Sequence, residues 1–370
     1  MKILAITDLY PTENEPRRGV FVEHSLDALS NLCEVRIIQP VKNEKNSEFR
    51  KKNIQIKRVS YKEPFIVREF TRAWKMKKHI LLEVKKTSQD FDFDIVVGVF
   101  TVPGGWLAAK VAKIYNRPYA IVGLGSDIHL FHKHLILGKM TLRTLQKANM
   151  VIVNAENLKE KAITLNIPSK NIKVLPFGYD EKVFNINLLN FRKKALLILM
   201  VANLVEVKRP HTFINAAMII SHSGIDANFA IAGDGYMRDE LEEKVRNSQF
   251  TDRFTFYGSI SQKELAKLYS QATCTVLTSR SEGLPFCLIE SLACGTPVVS
   301  TNLPGVREIV TDMENGILTN IDASEETAKA IKKVCSWNKS KNKIAESIKN
   351  RTWEDHAIQF KRLLEEVVKK

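Results

Sequence analysis

Short apolar runs typical of buried strands alternate with helical patterns along almost the whole chain. One series of these runs begins at residues 3–6, and a second series begins at residues 196–201. Because strands that alternate with helices form parallel sheets covered by helices, this order predicts an α/β fold. At 370 residues the chain also exceeds the size of a comfortable single core. We therefore predict two Rossmann-like doubly wound domains that face each other across a cleft.

The boundary between the two predicted domains lies at a turn that ends with Gly178 and precedes a long polar stretch. We therefore expect an N-terminal domain over residues 1–178 and a C-terminal domain over residues 179–350. A last helix is predicted within residues 351–370, because Thr352 can cap its start.

The net charge of +15 is unevenly distributed along the chain. Residues 1–178 contain 30 Lys and Arg against 17 Asp and Glu, whereas residues 179–370 contain 26 against 24. An excess confined to one half indicates a directed electrostatic partner rather than general solubility. Nucleic acid is not favoured as that partner, because the chain has no recognisable binding motif and no aromatic-basic strand.

The densest basic segment is residues 65–86, and it has a helical pattern. Several apolar side chains fall near one face of this helix: Ile66, Phe70, Trp74, Leu81 and Val84. Such a helix either rests on an anionic membrane surface or packs on the core and exposes a solvated basic face. No apolar run approaches the roughly 18 residues of a membrane span, and the five cysteines are typical of reduced, buried thiols. We expect a cytoplasmic protein, which the first of these two alternatives would make peripheral on the inner face of the membrane.

The most informative segment for function is a Glu-Gly-Leu-Pro turn, residues 282–285, that opens a helix over residues 286–293. A helix start presents unpaired backbone N–H groups and a positive dipole end, which suit a phosphate group. Glu290 lies in the second turn of this helix, where a carboxylate suits the two hydroxyl donors of a ribose. Glu282, on the turn itself, would face whatever lies beyond the phosphate.

This turn, its spacing to the second glutamate and the following Cys-Gly-Thr-Pro-Val-Val over residues 294–299 resemble the family 4 (group 1) retaining glycosyltransferases. The resemblance implies the GT-B architecture and a nucleoside-diphosphate sugar as donor, with neither a metal nor a cofactor. It implies transfer of a hexosyl or related group, with retention, to a saccharide or lipid-linked acceptor in cell-surface polysaccharide or glycolipid biosynthesis. It also implies that the N-terminal domain binds the acceptor, that the C-terminal domain binds the donor, and that residues 351–370 cross back onto the N-terminal domain.

A lysine follows the first strand of the second series, at the kind of position where open α/β sheets bind ligands. Lys208 can neutralise a diphosphate there as a compact positive charge. The resembled family carries an arginine and, five residues later, a lysine in this segment, both on the donor diphosphate. Lys208 matches the lysine, but Asn203 stands at the arginine position and supplies hydrogen bonds without charge. We expect Arg209 or Arg280 to supply the missing charge.

Glycines and one aspartate mark further turns. Gly19, at a predicted helix start, would let the backbone approach a phosphate, and the resemblance places a glycine there beside the donor. Asp127 follows a predicted strand and either orients the acceptor or caps a helix. The turn ending at Gly235 lacks the third small residue of a dinucleotide fingerprint, and we predict that it lies near the nucleotide, with Gly258 near the base.

The predicted site combines these positions. We expect three residues to act in catalysis: Glu282, Lys208 and Asp127. The residues expected to bind substrate are Gly19, Asn203, Arg209, Gly235, Gly258, Gly283, Leu284, Pro285, Phe286, Leu288 and Glu290. No metal site is expected, because the Asp-x-Asp spacing in residues 90–94 leads directly into a strand and indicates a turn.

Two other functions stay open. A GT-B nucleotide-sugar epimerase would need further acid–base side chains in the site, and the histidines are not obviously placed for that role. A catalytically weak scaffold that binds sugar nucleotides is favoured by Asn203 and by Leu124, which lies where many of the resembled proteins carry a histidine. Turnover of a nucleotide sugar that is lost on replacing Glu282 would distinguish a transferase from a scaffold.

Overall fold

The computed structural model describes residues 1–16, 18–62, 69–129, 134–188 and 196–369. The chain forms two compact units, which we call unit 1 (Met1–Gly178 with Trp353–Lys370) and unit 2 (Tyr179–Thr352). The first division between them falls after residue 178, at the link where the sequence placed the domain boundary.

The described strands of unit 1 form one sheet. They are β1 (Lys2–Ile6), β2 (Glu34–Lys42), β3 (Ser47–Lys51), β4 (Ile54–Tyr61), β5 (Ile95–Val99), β6 (Tyr119–Gly123), β7 (Met150–Val153) and β8 (Ile172–Val174). Their order is β3-β4-β2-β1-β5-β6-β7-β8, and every neighbouring pair is parallel except β3 and β4, which are antiparallel. The predicted parallel sheet is therefore confirmed, with an antiparallel edge strand that the sequence did not reveal.

Helices cover both faces of this sheet. They are α1 (Val20–Ser30), α2 (Glu69–Thr87), α3 (Trp106–Tyr115), α4 (Ser126–His129), α5 (Leu135–Gln146) and α6 (Glu156–Thr164). Met76 of α2, Leu107 of α3 and Leu145 of α5 belong to one core cluster. Val22 and Leu26 of α1 belong to a second cluster, which uses the alternate side chains of the strands.

Unit 2 repeats this architecture with a smaller sheet. Its described strands are β9 (Leu196–Val201), β10 (Ala227–Ala232), β11 (Phe254–Gly258), β12 (Cys274–Leu277), β13 (Val298–Thr301) and β14 (Gly316–Thr319). Its described helices are α7 (Pro210–His222), α8 (Arg238–Arg246), α9 (Gln262–Gln271), α10 (Phe286–Ala293), α11 (Pro304–Arg307), α12 (Ser324–Cys335) and α13 (Lys341–Glu346). The strand order is β11-β10-β9-β12-β13-β14, and all neighbouring pairs are parallel. Unit 2 is thus also a doubly wound sheet.

The last helix, α14 (Trp353–Val368), belongs to unit 1. Phe360, Leu364 and Val367 join the core cluster that α1 forms on the sheet, which is the packing that the resemblance implied. His356 anchors the helix, because its ring nitrogens lie 2.7 Å from Ser25 Oγ and 2.8 Å from the carbonyl oxygen of Pro176. Burial lowers the pKa of this histidine to about 4, so a neutral imidazole bridges the two groups.

Candidate active site

The carboxyl ends of four neighbouring strands meet at one edge of the unit 2 sheet. Strands β11, β10, β9 and β12 are adjacent in that order and run in the same direction. Gly258 ends β11, and Gly235, Asn203 and Glu282 lie in the segments that follow β10, β9 and β12. Because open parallel sheets bind ligands at this edge, the fold places these four predicted residues where a ligand is expected.

Lys208 and Glu282 form an ion pair at this edge. Lys208 ends a 3-10 turn, Glu206–Lys208, and its Nζ donates a hydrogen bond to Oε1 of Glu282 at 2.6 Å. Ser279 Oγ donates to the same oxygen at 2.5 Å, and the Lys208 side chain keeps 24% of its surface exposed. The sequence prediction that these two residues share one site is consistent with their direct contact across 74 positions of the chain.

The segments that carry this ion pair are tied together through their backbones. The N–H of Arg280 donates to the carbonyl oxygen of Val207 at 2.8 Å, and Thr278 Oγ1 donates to the carbonyl oxygen of Arg209 at 2.9 Å. Thr301 Oγ1 in turn donates to the carbonyl oxygen of Ser279 at 2.7 Å. Side chains held by supported loops lose little further freedom when a ligand binds, so this arrangement is preorganised for binding.

The predicted helix after the Glu-Gly-Leu-Pro turn is α10, and Pro285 is its N-cap residue. No described side chain caps this helix start, so the positive end of the helix dipole faces the turn that carries Glu282. The side chains of Leu284 and Leu288 are buried in the unit 2 core. Any contact of these two residues with a ligand is therefore restricted to their backbone groups. Gly283, in contrast, is exposed.

Glu290 lies in α10 and is held by Tyr269 of α9, whose hydroxyl donates to Oε2 at 3.0 Å. Burial raises the pKa of Glu290 to about 7, and the hydrogen bond from Tyr269 opposes part of that rise. Burial also raises the pKa of the neighbouring Cys287 thiol well above its usual range, so this cysteine stays a neutral thiol. The pKa of Glu290 therefore lies near neutral pH.

Arg209 and Arg280, which we expected to supply the charge that Asn203 lacks, both pair with the carboxylate of Asp322. Arg209 Nε lies 2.5 Å from Asp322 Oδ1, and a guanidinium nitrogen of Arg280 lies 2.6 Å from Asp322 Oδ2. Arg209 also pairs with Glu206. Hydrogen bonds from the two arginines hold the pKa of Asp322 below its usual range, so the carboxylate is ionised and offsets their charge. A donor diphosphate would have to compete with Asp322 for either arginine.

The glycine turn after β10 packs directly on the segment that follows β9. A Cβ added to Gly235 would lie 2.3 Å from the carbonyl oxygen of Leu204, so this approach admits only glycine. Leu204 N–H donates to the carbonyl oxygen of Asp234 at 2.9 Å, and Gly233 N–H donates to that of Gly258 at 2.8 Å. The predicted tight turn is therefore present, and its backbone contacts leave Asn203 exposed beside it.

In unit 1, Gly19 is the N-cap of α1 and has a left-handed backbone with φ of 73°. A Cβ at this position would lie 2.5 Å from the backbone carbonyl group of Leu9. The sequence predicted a glycine here so that a phosphate could approach the backbone. The packing of Gly19 against the Leu9 backbone already requires a glycine at this position.

Asp127 is fully buried, and both oxygens of its carboxyl accept hydrogen bonds from groups of the chain itself. Its Oδ2 accepts hydrogen bonds from the N–H and Oγ1 of Thr101, both at 2.9 Å. Its Oδ1 accepts from the N–H groups of Leu124 at 3.1 Å and Gly125 at 3.0 Å. Burial raises the pKa of this carboxyl, while the four donors favour its charged form. These bonds make Asp127 a link between the loops after β5 and β6, a structural contact that the sequence did not predict.

Three residues of the site were missed by sequence reasoning: Ser279, Tyr269 and Asp322. Ser279 lies three positions before Glu282 and could have been found as a neighbour on the same turn. Tyr269 and Asp322 lie 21 and 42 positions from Glu290 and Arg280, so no local pattern connects them.

The predicted membrane helix is α2, although residues 65–68 lie outside the described part of the chain. Its buried stripe is Ala73, Met76, Ile80 and Val84. Trp74 is 69% exposed, so the prediction that Trp74 and Val84 share a face is wrong: Val84 faces the core and Trp74 faces away. Across the described helices, none has both the length and the hydropathy that a membrane span needs.

The three aspartates of the Asp-x-Asp segment before β5 each contact a different residue. Asp90 pairs with Arg36 at 2.8 Å, Asp92 pairs with Arg117 at 2.6 Å, and Asp94 accepts from the N–H of Lys2 at 2.7 Å. Within the described ranges no group of three His, Cys, Asp or Glu side chains could hold a metal ion.

The two doubly wound parallel-sheet units of this chain match the GT-B architecture. A family model described as glycosyl transferases group 1 matches residues 181–351, and one described as glycosyl transferase 4-like matches residues 16–155. The two models together match most of the chain. The chain therefore belongs to the group 1, family 4 glycosyltransferases.

Among curated relatives, the chain is similar to the teichuronic acid biosynthesis glycosyltransferase TuaC of Bacillus subtilis. They are 27% identical, over 84% of this chain and 83% of TuaC. The fold is similar to that of sucrose-phosphate synthase from Thermosynechococcus elongatus, with a TM-score of 0.79 and 20% identity over 99% of this chain and 98% of that one. It is also similar to Anabaena HepE in complex with UDP, with a TM-score of 0.75 and 17% identity over 99% and 100% of the two chains.

Proposed function

We propose that this glycosyltransferase moves a hexosyl or related group from a nucleoside-diphosphate sugar to a saccharide or lipid-linked acceptor, with retention and without a metal or cofactor. The observation that carries the proposal is the Lys208–Glu282 ion pair at the uncapped start of α10, with Glu290 farther along the same helix. The similarity to TuaC supports a place in cell-surface polysaccharide or glycolipid biosynthesis, and HepE, a protein of similar fold, was solved with UDP.

The donor would bind to unit 2 through groups at the carboxyl edge of its sheet. The Glu290 carboxylate would accept hydrogen bonds from the ribose hydroxyls. The start of α10 and Lys208 would hold the diphosphate, since backbone N–H groups and an ammonium group both favour negative charge. The second carboxylate oxygen of Glu282 would accept hydrogen bonds from the sugar, because Oε1 is already held by Lys208 and Ser279. Unit 1 would then bind the acceptor.

The ion pair also sets what Lys208 can do during transfer. As the bond between sugar and diphosphate breaks, negative charge develops on the leaving diphosphate. Lys208 is aimed by its contact with Glu282 before the donor arrives, so its charge needs little reorganisation when the leaving group forms. Preorganised charge of this kind accelerates group transfer without a proton donor.

The test is a donor screen followed by a turnover assay with the full chain. A thermal-shift screen against nucleoside-diphosphate sugars should find a donor that raises the melting temperature, because only a bound ligand stabilises the fold. Release of nucleoside diphosphate from that donor should be lost in Glu282→Ala and retained in Lys263→Ala, an exposed position on α9. The anomeric configuration of the product, read by NMR, reports retention.

Other outcomes would favour the alternatives. A donor that binds without any turnover would indicate a scaffold, and conversion of the donor to a second nucleotide sugar would indicate an epimerase. Turnover that is unchanged in Glu282→Ala would overturn the assignment of the site.

We also propose that residues 65–86 place the protein on the inner, cytoplasmic face of an anionic membrane. Lys75, Lys78 and Lys85 are exposed on α2 together with Trp74 and Leu82, a combination that suits an interfacial helix. Arg72 lies apart from this face, because it contacts Asp8 at 3.5 Å and the Tyr61 hydroxyl at 2.8 Å. Flotation with anionic vesicles should weaken in a Lys75→Gln/Lys78→Gln/Lys85→Gln variant, and unchanged flotation at low salt would contradict this proposal.

A further inference from the structure

A large groove lies between α3 and α5 of unit 1, and its charged lining residues are all basic. The groove encloses about 760 Å³, a volume within the usual range for small-ligand sites. Among the described residues that line it none is acidic, and six are cationic: Lys110, Lys113, Arg117, Lys139, Arg143 and Lys147. Tyr119, the first residue of β6, and Asn149, which directly precedes β7, also line the groove. The groove therefore lies at the amino ends of these strands, away from the carboxyl edge of the sheet.

This groove concentrates part of the positive charge that the sequence showed in the first half of the chain. Residues 101–150 contain seven Lys and Arg but a single acidic residue, Asp127, which is buried and fully engaged. Of the six cations in the groove, Arg117 pairs with Asp92 at 2.6 Å. The other five form no ion pair with any described residue. Their mutual repulsion is therefore not offset within the described part of the molecule.

Helix dipoles account for only some of these positions. Lys113 and Arg143 lie in the last turns of α3 and α5, where a positive charge is favoured. Lys139 lies in the first half of α5, nearer the positive end of that helix dipole. Burial lowers the pKa of Lys110, and Lys77, Lys113 and Lys147 lower it further. Positive charges held this close together repel one another and destabilise the folded protein. A bound anion would offset this repulsion.

The uncharged lining of the groove is mostly apolar, and its polar residues are Asn116, Thr144 and Asn149. Trp106 and Tyr119 are buried lining residues, and Met140 packs partly against the unit 1 core. Next to the cations, Leu135 is 79% exposed, Ile136 is 48% exposed and Ile114 of α3 is 60% exposed. Exposed aliphatic side chains beside clustered lysines suit a ligand that joins a phosphate to hydrocarbon.

We propose that the groove between α3 and α5 binds the phosphate head group of an anionic lipid, with Leu135, Ile136 and Ile114 entering the membrane interface beside it. This site is separate from the surface attraction proposed for α2, and it does not depend on which donor or acceptor the enzyme uses. It would fix one orientation of unit 1 on the bilayer, because a discrete pocket on one helical layer binds the lipid.

The test measures binding of the full chain to phosphatidylcholine vesicles with and without phosphatidylglycerol. A Lys110→Gln/Lys139→Gln/Arg143→Gln variant should lose about a hundredfold in partition to the anionic vesicles, since each cation near such a surface contributes about 1 kcal/mol. The matched control is Lys329→Gln/Lys332→Gln/Lys333→Gln on α12, which removes the same charge from unit 2 and should bind like the parent chain. Leu135→Ser/Ile136→Ser should weaken vesicle binding with all groove cations retained.

Three results would overturn the proposal. The first is equal weakening by the groove variant and by the α2 variant described above, which would indicate a diffuse basic surface. The second is binding of free inorganic pyrophosphate, measured by titration calorimetry and lost in the groove variant, without any vesicle binding; this would indicate a soluble phosphate ligand. The third is unchanged vesicle binding by a groove variant whose circular dichroism and melting temperature match the parent chain. Turnover of the donor is not part of these readouts, so failure here leaves the proposed transfer reaction untouched.

Discussion

Replacing Glu290 with glutamine should stabilise unit 2 at alkaline pH while it weakens donor binding. Burial raises the pKa of this carboxyl from 4.5 to about 7. At about 1.4 kcal/mol for each pH unit between the two values, ionising Glu290 in the folded protein costs about 3 kcal/mol. Glutamine is neutral at every pH and can still accept the hydrogen bond that Tyr269 donates, so the variant should avoid this cost.

The pH dependence has a definite sign. Below about pH 4.5 the carboxyl is protonated in both the folded and the unfolded chain, and the substitution should change stability little. Between pH 4.5 and about 7 the Glu290 carboxyl ionises only in the unfolded chain, so the stability of the parent chain falls as the pH rises. Above about pH 7 the full difference is present, and for a domain of this size about 3 kcal/mol corresponds to roughly 6–12 °C in melting temperature.

The assay is calorimetric melting of the parent chain and Glu290→Gln at a series of pH values from acid to alkaline. The control is Glu243→Gln, an exposed position on α8 in the same unit. The same variant should bind the nucleotide about ten- to a hundredfold more weakly at pH 8, because a charged acceptor of the ribose hydroxyls is lost. A melting-temperature difference that is the same at pH 5 and pH 8 would refute the assigned burial cost, and unchanged nucleotide affinity would refute the ribose contact.

Three further outcomes are expected. Lys208→Ala should lower turnover of the donor by about 10²–10³, since one preorganised contact to developing charge is worth about 2.7–4 kcal/mol; steady-state kinetics checks this, and unchanged turnover would contradict the role. Gly19→Ala should destabilise unit 1 by about 2 kcal/mol or more, because it places a Cβ against the Leu9 backbone at φ of 73°; calorimetry should show the drop. Asp127→Ala should destabilise unit 1 by about 3 kcal/mol through four orphaned donors; a normal melting temperature with lost activity would instead support the predicted catalytic role.

Much of the fold could be predicted because its signals are local. Buried strands such as β1, β9 and β12 are short continuous apolar runs, and both faces of a doubly wound sheet are covered, so these runs are readable without knowledge of the partner strand. The sequence missed β3, β4 and β14; the residues of β3, Ser47–Lys51, are mostly charged or polar and lie exposed at the sheet edge. It also misplaced Trp74, because a helical pattern does not reveal which neighbouring helix or strand covers each face.

Residues of the candidate site could be predicted from the sequence only where several of them lie in one segment of the chain. The turn at residues 282–285 and Glu290 lie on a single strand-to-helix connection, so their spacing along the chain already limits their spacing in the fold. Asp127 illustrates the opposite case. Its sequence context allows both a capping and a catalytic role, and it does not reveal that the donors of Thr101, Leu124 and Gly125 surround its carboxyl.

The sequence by itself determined the two parallel sheets, the helix start after β12 and the presence of a lysine in the segment that follows β9, because each depends on residues that are close along the chain. Only the tertiary structure decided that Lys208 contacts Glu282, that Asp322 holds Arg209 and Arg280, and that Tyr269 contacts Glu290. The tertiary structure also places the cationic side chains of α3 and α5 around one groove, which the sequence does not reveal. Charge neutralisation and burial act through space over a few ångströms, so they depend on which elements the sheet order makes neighbours and not on distance along the chain.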